Sequence, residues 1–318
     1  MKNIVCNLLA IAGIILSLAS CKRDPIVYAT SNYYVSIETE TAPTDTEENL
    51  PRVYAVNFYD PGTGRLVLNT FVHPYAHPKD MPPGAYITGL VPGEYDLLVY
   101  CFDNNVITEN EGSASRVYAH AKDVERSNGT PIVAQPDHHY VHAERITVPY
   151  VISGEGVHII PTHPMDITES WTVKVLGVKN LSIAGKISLF ISGQVRGDML
   201  LPQPTKLNEK AIILFEGRLE DLAATKAEDE TSLDIVAPYR TFGRFGDDVR
   251  CLLTVQIEGP NGTNYYIQTD VTDQIEDQQD KDRLIIVDSD LEIEERKDEG
   301  FNPQADEWKE DKTQIVLE

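Results

Sequence analysis

Apolar and polar residues alternate over many short stretches of this chain, with no competing helical period. Residues 33–38 alternate in this way, and in residues 95–100 the side chains of Tyr95, Leu97 and Val99 fall on one face. A period of two is typical of strands that bury one side. The pattern therefore predicts an all-β protein.

Two pairs of apolar segments flank turns that contain proline and glycine. Residues 53–59 and 65–71 enclose one such turn, and residues 250–258 and 263–269 enclose the other. Proline presets one backbone angle and glycine accepts a positive φ, as tight turns require. Each pair predicts a β-hairpin, with one hairpin in each half of the chain.

Other strand-length segments are rich in β-branched or aromatic residues. They are 85–87, 132–134, 145–148, 171–176, 186–191, 211–215, 283–287 and 314–317. Residues 103–128 are polar and irregular, and residues 270–282 indicate a loop or one short helix. Because short strands recur in both halves, we expect two β-sandwich domains in tandem, residues 33–155 and 156–318.

The first twenty residues have the pattern of an export signal. Lys2 precedes an apolar run, residues 8–18, that is too short to cross a bilayer. The ending Leu18-Ala19-Ser20-Cys21 resembles the lipobox of bacterial lipoproteins. We expect residues 1–20 to be removed, Cys21 to hold the protein to a membrane through acyl chains, and residues 21–32 to be a tether. The alternative is an ordinary secretory signal with a coincidental cysteine.

Charge and cysteine content narrow the function further. The chain has 50 acidic and 27 basic residues, and its net charge of −23 repels nucleic acid. Export leads to an oxidising compartment, yet Cys101 and Cys251 are the cysteines left once Cys6 is removed and Cys21 is acylated. Both lie in apolar strand segments, so we expect buried thiols and no disulfide framework.

No common catalytic or phosphate-binding motif occurs, so we expect a protein that is not an enzyme and uses no cofactor. His138, His139 and His142 cluster, but strand alternation would turn His139 away from the other two, which favours ordinary histidines over a metal site. The acidic run 288–294 lacks the glycine of a calcium loop. Its apolar residues favour the inward side of a strand, and we expect no bound metal.

Several local sequences, in their order along the chain, resemble the fimbrillin-like lipoproteins of Bacteroidetes, the group that includes anchor and minor subunits of type V pili. The matching stretches are Tyr33–Glu38, Val53–Phe71, Gly89–Tyr100, Gly177–Leu181, Ile191–Gly193, Leu253–Val255, Asp270–Ile275 and Gly300–Pro303 with Trp308. The resemblance covers nearly all of the chain after the signal sequence.

This resemblance implies two transthyretin-like domains and polymerisation by strand exchange, in which an extended strand of one subunit fills a groove in its neighbour. In pilus subunits of this group, an arginine-directed protease opens the groove by removing the first strand. Here that strand is 33–38, and the nearby arginine, Arg52, lies at the next strand. A retained first strand is expected, as in an anchor subunit.

The function implied by the resemblance is an anchor or minor structural subunit of a type V-like fimbria, lipid-anchored in the outer membrane at the cell surface. Its partners would be other fimbrillin-like subunits. The candidate donor strand is Thr313, Gln314, Ile315, Val316 and Leu317, with Ile315 and Leu317 pointing into a partner's groove. The alternative is an edge strand that pairs within its own domain.

A second function also fits the sequence: an outer-membrane lipoprotein that binds a glycan or a host ligand. Exposed tyrosines would supply the stacking faces, with Tyr33, Tyr34, Tyr265 and Tyr266 as candidates. Tyrosine is also a preferred strand residue, so the sequence leaves both functions open.

Overall fold

The computed structural model describes residues 33–39, 51–74, 76–102, 104–151, 156–219, 232–260, 262–277 and 283–294. Cys21 and the candidate donor strand 313–317 lie outside the described residues. Most described residues lie in strands, with one short α-helix, α1 (Thr272–Asp277), and one 3₁₀ turn (Leu181–Ile183). The all-β prediction is confirmed.

The strands of the first half of the chain are β1 Tyr33–Ile37, β2 Tyr54–Tyr59, β3 Leu66–Val72, β4 Gly84–Ile87, β5 Gly93–Cys101, β6 Ile107–Glu109, β7 Tyr118–His120, β8 Asp123–Ser127, β9 Thr130–Ala134 and β10 Tyr140–Val148. Those of the second half are β11 His158–Thr162, β12 Met165–Asp166, β13 Glu169–Lys179, β14 Ile187–Val195, β15 Gly197–Met199, β16 Thr205–Lys206, β17 Lys210–Glu216, β18 Arg218–Leu219, β19 Ser232–Thr241, β20 Leu252–Glu258, β21 Asn264–Asp270 and β22 Leu284–Asp288.

Two sheets form an N-terminal sandwich. One has the order β11-β1-β4 and the other the order β12-β10-β5-β2-β3. The predicted hairpin of β2 and β3 is confirmed by antiparallel pairing, for example of Asn57 with Asn69. The core between the two sheets includes Val35, Phe58 and Leu97, each less than 1% exposed.

β2, a central strand of the five-stranded sheet, is buried on both faces. In β2, Val56 and Phe58 point into the N-terminal core, whereas the alternate residues Ala55 and Tyr59 join a larger core formed mainly by the second half. Removing apolar surface from water on both faces is what allows this strand to be apolar at almost every position.

Three further sheets complete the second half. Their orders are β18-β19-β13-β22, β21-β20-β14-β17-β9-β8 and β16-β15-β7-β6. The predicted hairpin of β20 and β21 is confirmed by antiparallel pairing along both strands. Cys101 and Cys251 are buried thiols, as expected.

Strand pairing crosses the boundary that we expected between residues 155 and 156. β9 runs parallel to β17, and β7 pairs with β15, so residues 118–134 extend sheets of the second half. In the other direction, β11 pairs with β1 and β12 with β10. A cut at residue 155 would therefore separate strands that are hydrogen-bonded to one another.

Candidate functional site

The first strand, β1, lies at the centre of its sheet. It runs parallel to β11 and antiparallel to β4, so both of its backbone edges are paired. All five of its side chains are buried, from 0% exposed at Tyr34 to 6% at Tyr33. β1 therefore fills a slot between β11 and β4, and its removal would leave two unpaired edges that could accept another extended strand.

The outer face of β1 is covered by the proline loop, residues 73–74 and 76–83 of the described chain, which leads into β4. The hydroxyl of Tyr34 donates to the carbonyl of Pro82 at 2.7 Å, and the amide of Ile37 donates to the carbonyl of Pro83 at 2.8 Å. The ring of Tyr34 also meets the ring of Tyr86 edge-on, with 5.1 Å between their centroids. The loop thus holds β1 from outside the sandwich.

Gly84 lets β4 approach β1 closely where the proline loop ends. Its φ is +152°, and a Cβ at this position would lie 2.1 Å from the carbonyl oxygen of Val35. Only glycine avoids that overlap, because every other residue carries a Cβ.

The far end of β1 is fastened to β11. The Thr162 hydroxyl donates to the carbonyl of Ser36 at 2.7 Å, and the amide of Glu38 donates to the carbonyl of Thr162 at 3.0 Å. Arg52, the arginine that follows β1 in the chain, is exposed two residues before β2. The slot is thus closed by hydrogen bonds at both ends of the strand.

His138 belongs to a polar chain that links the two halves. Its Nδ1 lies 2.5 Å from Asp166, its Nε2 lies 2.5 Å from a guanidinium nitrogen of Arg240, and that nitrogen also donates to the hydroxyl of Ser170 at 3.1 Å. Although burial raises it, hydrogen bonds from His138 and Thr168 hold the pKa of Asp166 below its ordinary value. Both ring nitrogens are engaged, so this histidine has a structural role: it connects Asp166 to Arg240.

The other two histidines of the cluster face different groups. His139 is fully buried, its Nδ1 lies 3.3 Å from the sulfur of Cys101, and burial lowers its pKa to about 4. His142 lies 3.4 Å from Glu144. The three histidines therefore do not converge, and in the part of the chain that the structure describes no three His, Cys, Asp or Glu side chains are grouped to hold a metal ion.

In the acidic run 288–294 the apolar residues face inward, as expected, but beyond Asp288 the run forms an isolated bridge from Glu292 to Lys179 and no strand. Ile293 is buried and Leu291 is half-buried against the larger core, whereas Glu292 and Glu294 are exposed. The backbone of Ile293 bonds to β13, which fixes this alternation.

The glycan-binding alternative depended on exposed tyrosines, and for two of them that expectation is wrong. Tyr33 and Tyr34 are buried in β1, because the sandwich core covers one ring and the proline loop the other. Tyr265 is half-buried, and its hydroxyl accepts a hydrogen bond from the amide of Glu294. Tyr266 is 37% exposed and remains a candidate for stacking on a glycan.

An exposed aromatic pair was missed by the sequence reasoning. The rings of Phe71 and Phe102 are 4.8 Å apart and about half exposed, at 47% and 51%. Phe71 lies in β3, at the edge of its sheet, and Phe102 directly follows the end of β5. Nothing in the local pattern distinguishes an edge strand from a central one.

Among the described residues, no helix has the length and apolar character needed to cross a membrane. No protein-family model matches the sequence, and no curated protein matches it either. The fold, by contrast, occurs in solved structures.

Three solved structures illustrate the shared fold. A candidate adhesin from Bacteroides ovatus is 16% identical, with a TM-score of 0.58 over 87% of this chain and 98% of that one. A second candidate adhesin from B. ovatus is 14% identical, with a TM-score of 0.50 over 81% of this chain and 87% of that one. The fimbrial anchor protein Mfa2 from Porphyromonas gingivalis is 15% identical, with a TM-score of 0.47 over 80% of this chain and 87% of that one.

These neighbours are adhesin candidates and a fimbrial protein, none of them described as an enzyme. At such low identities, the likeness to the two Bacteroides structures shows a common fold, an all-β architecture found in candidate adhesins of Bacteroides.

Proposed function

We propose that this protein is a lipid-anchored, fimbrillin-like protein of the cell envelope that serves as an anchor or minor structural subunit of a type V-like fimbria. It is held in the outer membrane by acyl chains on Cys21 and displayed at the cell surface. Its role is structural, not enzymatic. The observation that carries the proposal is β1, a first strand seated in its slot and fastened along its length.

A seated first strand decides which end of a filament this subunit can occupy. Strand exchange needs an open groove on one subunit and a free donor strand on the other. With β1 in the slot, this subunit has no open groove there, so it can donate a strand but not accept one. A head-to-tail chain of subunits ends at such a member, and a membrane anchor is the member that belongs at one end.

The candidate donor strand can reach a neighbouring subunit. The chain from Glu294 to Thr313 spans 19 residue steps, and an extended chain covers up to about 60 Å over that length. Its alternating residues suit a groove that takes every second side chain, with Ile315 and Leu317 as the inserted pair.

The test is a pull-down of the native protein from detergent-solubilised envelopes, with an antibody that leaves the C-terminus free. Samples are heated mildly in detergent before mass spectrometry, because strand-exchanged complexes dissociate slowly. Other fimbrillin-like subunits in the heat-resistant fraction would support the fimbrial role, and an unrelated outer-membrane lipoprotein is the control.

Recovery of the monomer alone, still acylated at Cys21, would overturn the fimbrial role in favour of a ligand-binding lipoprotein. Protease treatment of intact cells tests the location. Loss of the protein from unbroken cells after protease treatment, compared with untreated cells, indicates surface display, and full protection contradicts it.

A further inference from the structure

One end of the N-terminal sandwich, here called the tether end, gathers three chain segments. They are the start of β1, the connection 88–92 between β4 and β5, and residues 149–151 and 156–157, the described parts of the connection between β10 and β11. Tyr33 pairs with Ile87 at the end of β4 and with His158 at the start of β11, so these strand ends coincide.

The five-stranded sheet places its strand ends at the same level. Val148, the last residue of β10, pairs with Gly93, the first residue of β5. The hydroxyl of Tyr33 donates to the carbonyl of Pro149 at 2.8 Å, which joins the connection after β10 to the start of β1. The chain therefore joins β1, through Tyr33, at this end of the sandwich.

The tether end exposes a cluster of apolar side chains. Tyr150 is 78% exposed, the most of any large apolar side chain described, and Val91, Ile159 and Val157 are 42%, 41% and 39% exposed. Leu90, next to Val91 in the chain, is 8% exposed and belongs to the N-terminal core. Clustered apolar exposure of this kind marks an interaction surface, whereas single exposed apolar residues are ordinary.

Charge is absent from the described parts of both connections. Residues 88–92, 149–151 and 156–157 contain no acidic or basic side chain, although the whole chain has a net charge of −23. Glu155, in the same connection, lies outside the described residues, and Glu94 follows the other connection as the second residue of β5. The uncharged described residues suit a bilayer interface, which is apolar on one side and polar on the other and where tyrosine is enriched.

The tether makes a lipid bilayer the expected binding partner of this surface. Twelve residues, 21–32, separate the acylated position from β1, and fully extended they span about 40 Å. A covalent link of this length raises the effective concentration of the two partners to about the mM range. Even a weak apolar surface is then occupied, because the membrane is always within reach.

We propose that the tether end lies on the lipid bilayer, with the side chains of Tyr150, Val91 and Val157 in the interface beside the acyl chains of Cys21. This inference rests on the acylation that belongs to the proposed function, and it adds a fixed orientation to it. The far end of β1 and the slot it fills then project away from the membrane. A zwitterionic surface is favoured over an anionic one, since the remainder of the protein is acidic.

The test places one fluorescent label at the tether end of the acylated, full-length mature protein. Cys101 and Cys251 are buried and Cys21 is acylated, so a maleimide dye reacts selectively with the variant Tyr150→Cys. The matched control is Met165→Cys, 60% exposed and paired with Val141 at the opposite end of β10. Seven strand residues, about 23 Å, separate Val141 from Val148.

Both labelled proteins are bound to phosphatidylcholine vesicles that contain a lipid-phase quencher. The label at position 150 should be quenched at least twofold more by the lipid-phase quencher, and at least twofold less by aqueous iodide, than the label at position 165. Unchanged thermal melts of the two variants confirm that both are folded.

Equal access of iodide to both labels on vesicles would overturn the inference. Shielding of position 150 without vesicles would also overturn it, because another part of the chain or a second copy would then cover the surface. If Cys21 is acylated and the label at position 150 is exposed, the bilayer contact is refuted and the lipid anchor stands. If Cys21 of the native protein is not acylated, the contact and the lipid anchor are refuted together. A lipid-buried label without fimbrial partners refutes only the fimbrial role.

Discussion

The hydroxyl of Tyr34 donates a hydrogen bond to the carbonyl of Pro82, 48 residues further along the chain. It ties the buried first strand to the proline loop that covers it. The ring of Tyr34 is 0% exposed, so this single contact combines apolar burial with a satisfied polar group at the outer face of the slot.

We expect Tyr34→Phe to loosen β1 without distorting it. The substitution keeps the ring and removes the hydroxyl, which leaves the carbonyl of Pro82 without this donor and costs about 1 kcal/mol of unfolding free energy. The matched control is Tyr86→Phe, because that tyrosine is 43% exposed and its ring contact survives the change. Urea unfolding of both variants measures the difference, and equal losses would contradict the role given to the Tyr34 hydroxyl.

A disulfide across β1 and β4 tests whether the first strand stays in place. Val35 pairs with Ala85 in antiparallel register, and both pack against the N-terminal core. We expect Val35→Cys combined with Ala85→Cys to form a bridge and to raise the unfolding free energy by up to about 4 kcal/mol.

If β1 is retained in the working protein, the locked variant should recover the same partners in the pull-down as the wild type. The two single-cysteine variants and the reduced double variant are the controls. Loss of partners in the oxidised double variant, with recovery after reduction, would show instead that β1 must leave its slot.

Asp198 is a buried carboxyl in β15, one of the strands that join the two halves. It is 5% exposed, and its Oδ1 has no hydrogen-bond partner. Burial raises its pKa to about 7, with the charge of Lys206 opposing the shift and that of Glu169 adding to it. Because the pKa in the folded state exceeds the ordinary 3.8, ionisation is disfavoured in the fold, and stability is lost as the pH rises from about 4 to 7.

We expect Asp198→Asn to stabilise the protein at pH 8 and to have little effect at pH 4. The shift of about three pKa units corresponds to a gain of at most about 4 kcal/mol at pH 8. Thermal melts of the variant and the wild type at both pH values measure it. A gain of the same size at pH 4 would mean that packing, not charge, is responsible.

The local pattern predicted strands well but not their partners. The hairpins of β2 with β3 and of β20 with β21 could be predicted because each turn joins its own two strands. β9 was recognised as a strand, yet it pairs with β17, about 80 residues away. Alternation specifies which face of a strand is buried and carries no information about its neighbour.

β19 was missed because Pro238 interrupts it. Proline lacks the amide that a central strand needs, which argues against a strand from sequence alone. The structure tolerates it because β18 pairs only with Ile235 and Val236, so β19 has a single neighbour at Pro238.

The burial of Tyr34 was equally hidden from the sequence. Alternation predicts that this residue faces outward, and the proline loop that covers it is irregular in sequence and in structure. The sequence identified the first strand by its position in the chain. The contacts that hold this strand come from residues far away in sequence, and a local pattern does not reveal them.

Deleting residues 313–318 tests the candidate donor strand. If these residues insert into a neighbour, their loss should abolish partner recovery and leave the thermal melt nearly unchanged. A finer test compares Ile315→Asp and Leu317→Asp with Val316→Ser, because alternate side chains point to opposite faces of a strand. A large fall in melting temperature on deletion would favour an edge strand that pairs within its own domain.

The outer edge of β22 is closed by a side chain in place of a strand. The amide of Gln274, in α1, donates to the carbonyl of Ile286 at 2.9 Å and accepts from its N–H at 2.8 Å, as a neighbouring strand would. In the described sheet β22 has a strand, β13, on one side only. An open edge beside Ile286, which is 44% exposed, would invite pairing with another chain.

We therefore expect Gln274→Ala to promote self-association. Alanine preserves the helix but leaves both backbone groups of Ile286 without this partner, which costs about 1–2 kcal/mol and opens the edge. Gln274→Glu is the matched control, since its carboxylate still accepts from the N–H but cannot donate to the carbonyl. Sedimentation velocity should show dimers or larger species for Gln274→Ala and fewer for Gln274→Glu. If Gln274→Ala stays monomeric at wild-type stability, the prediction is wrong. Another feature would then protect the edge of β22 from pairing with a second chain.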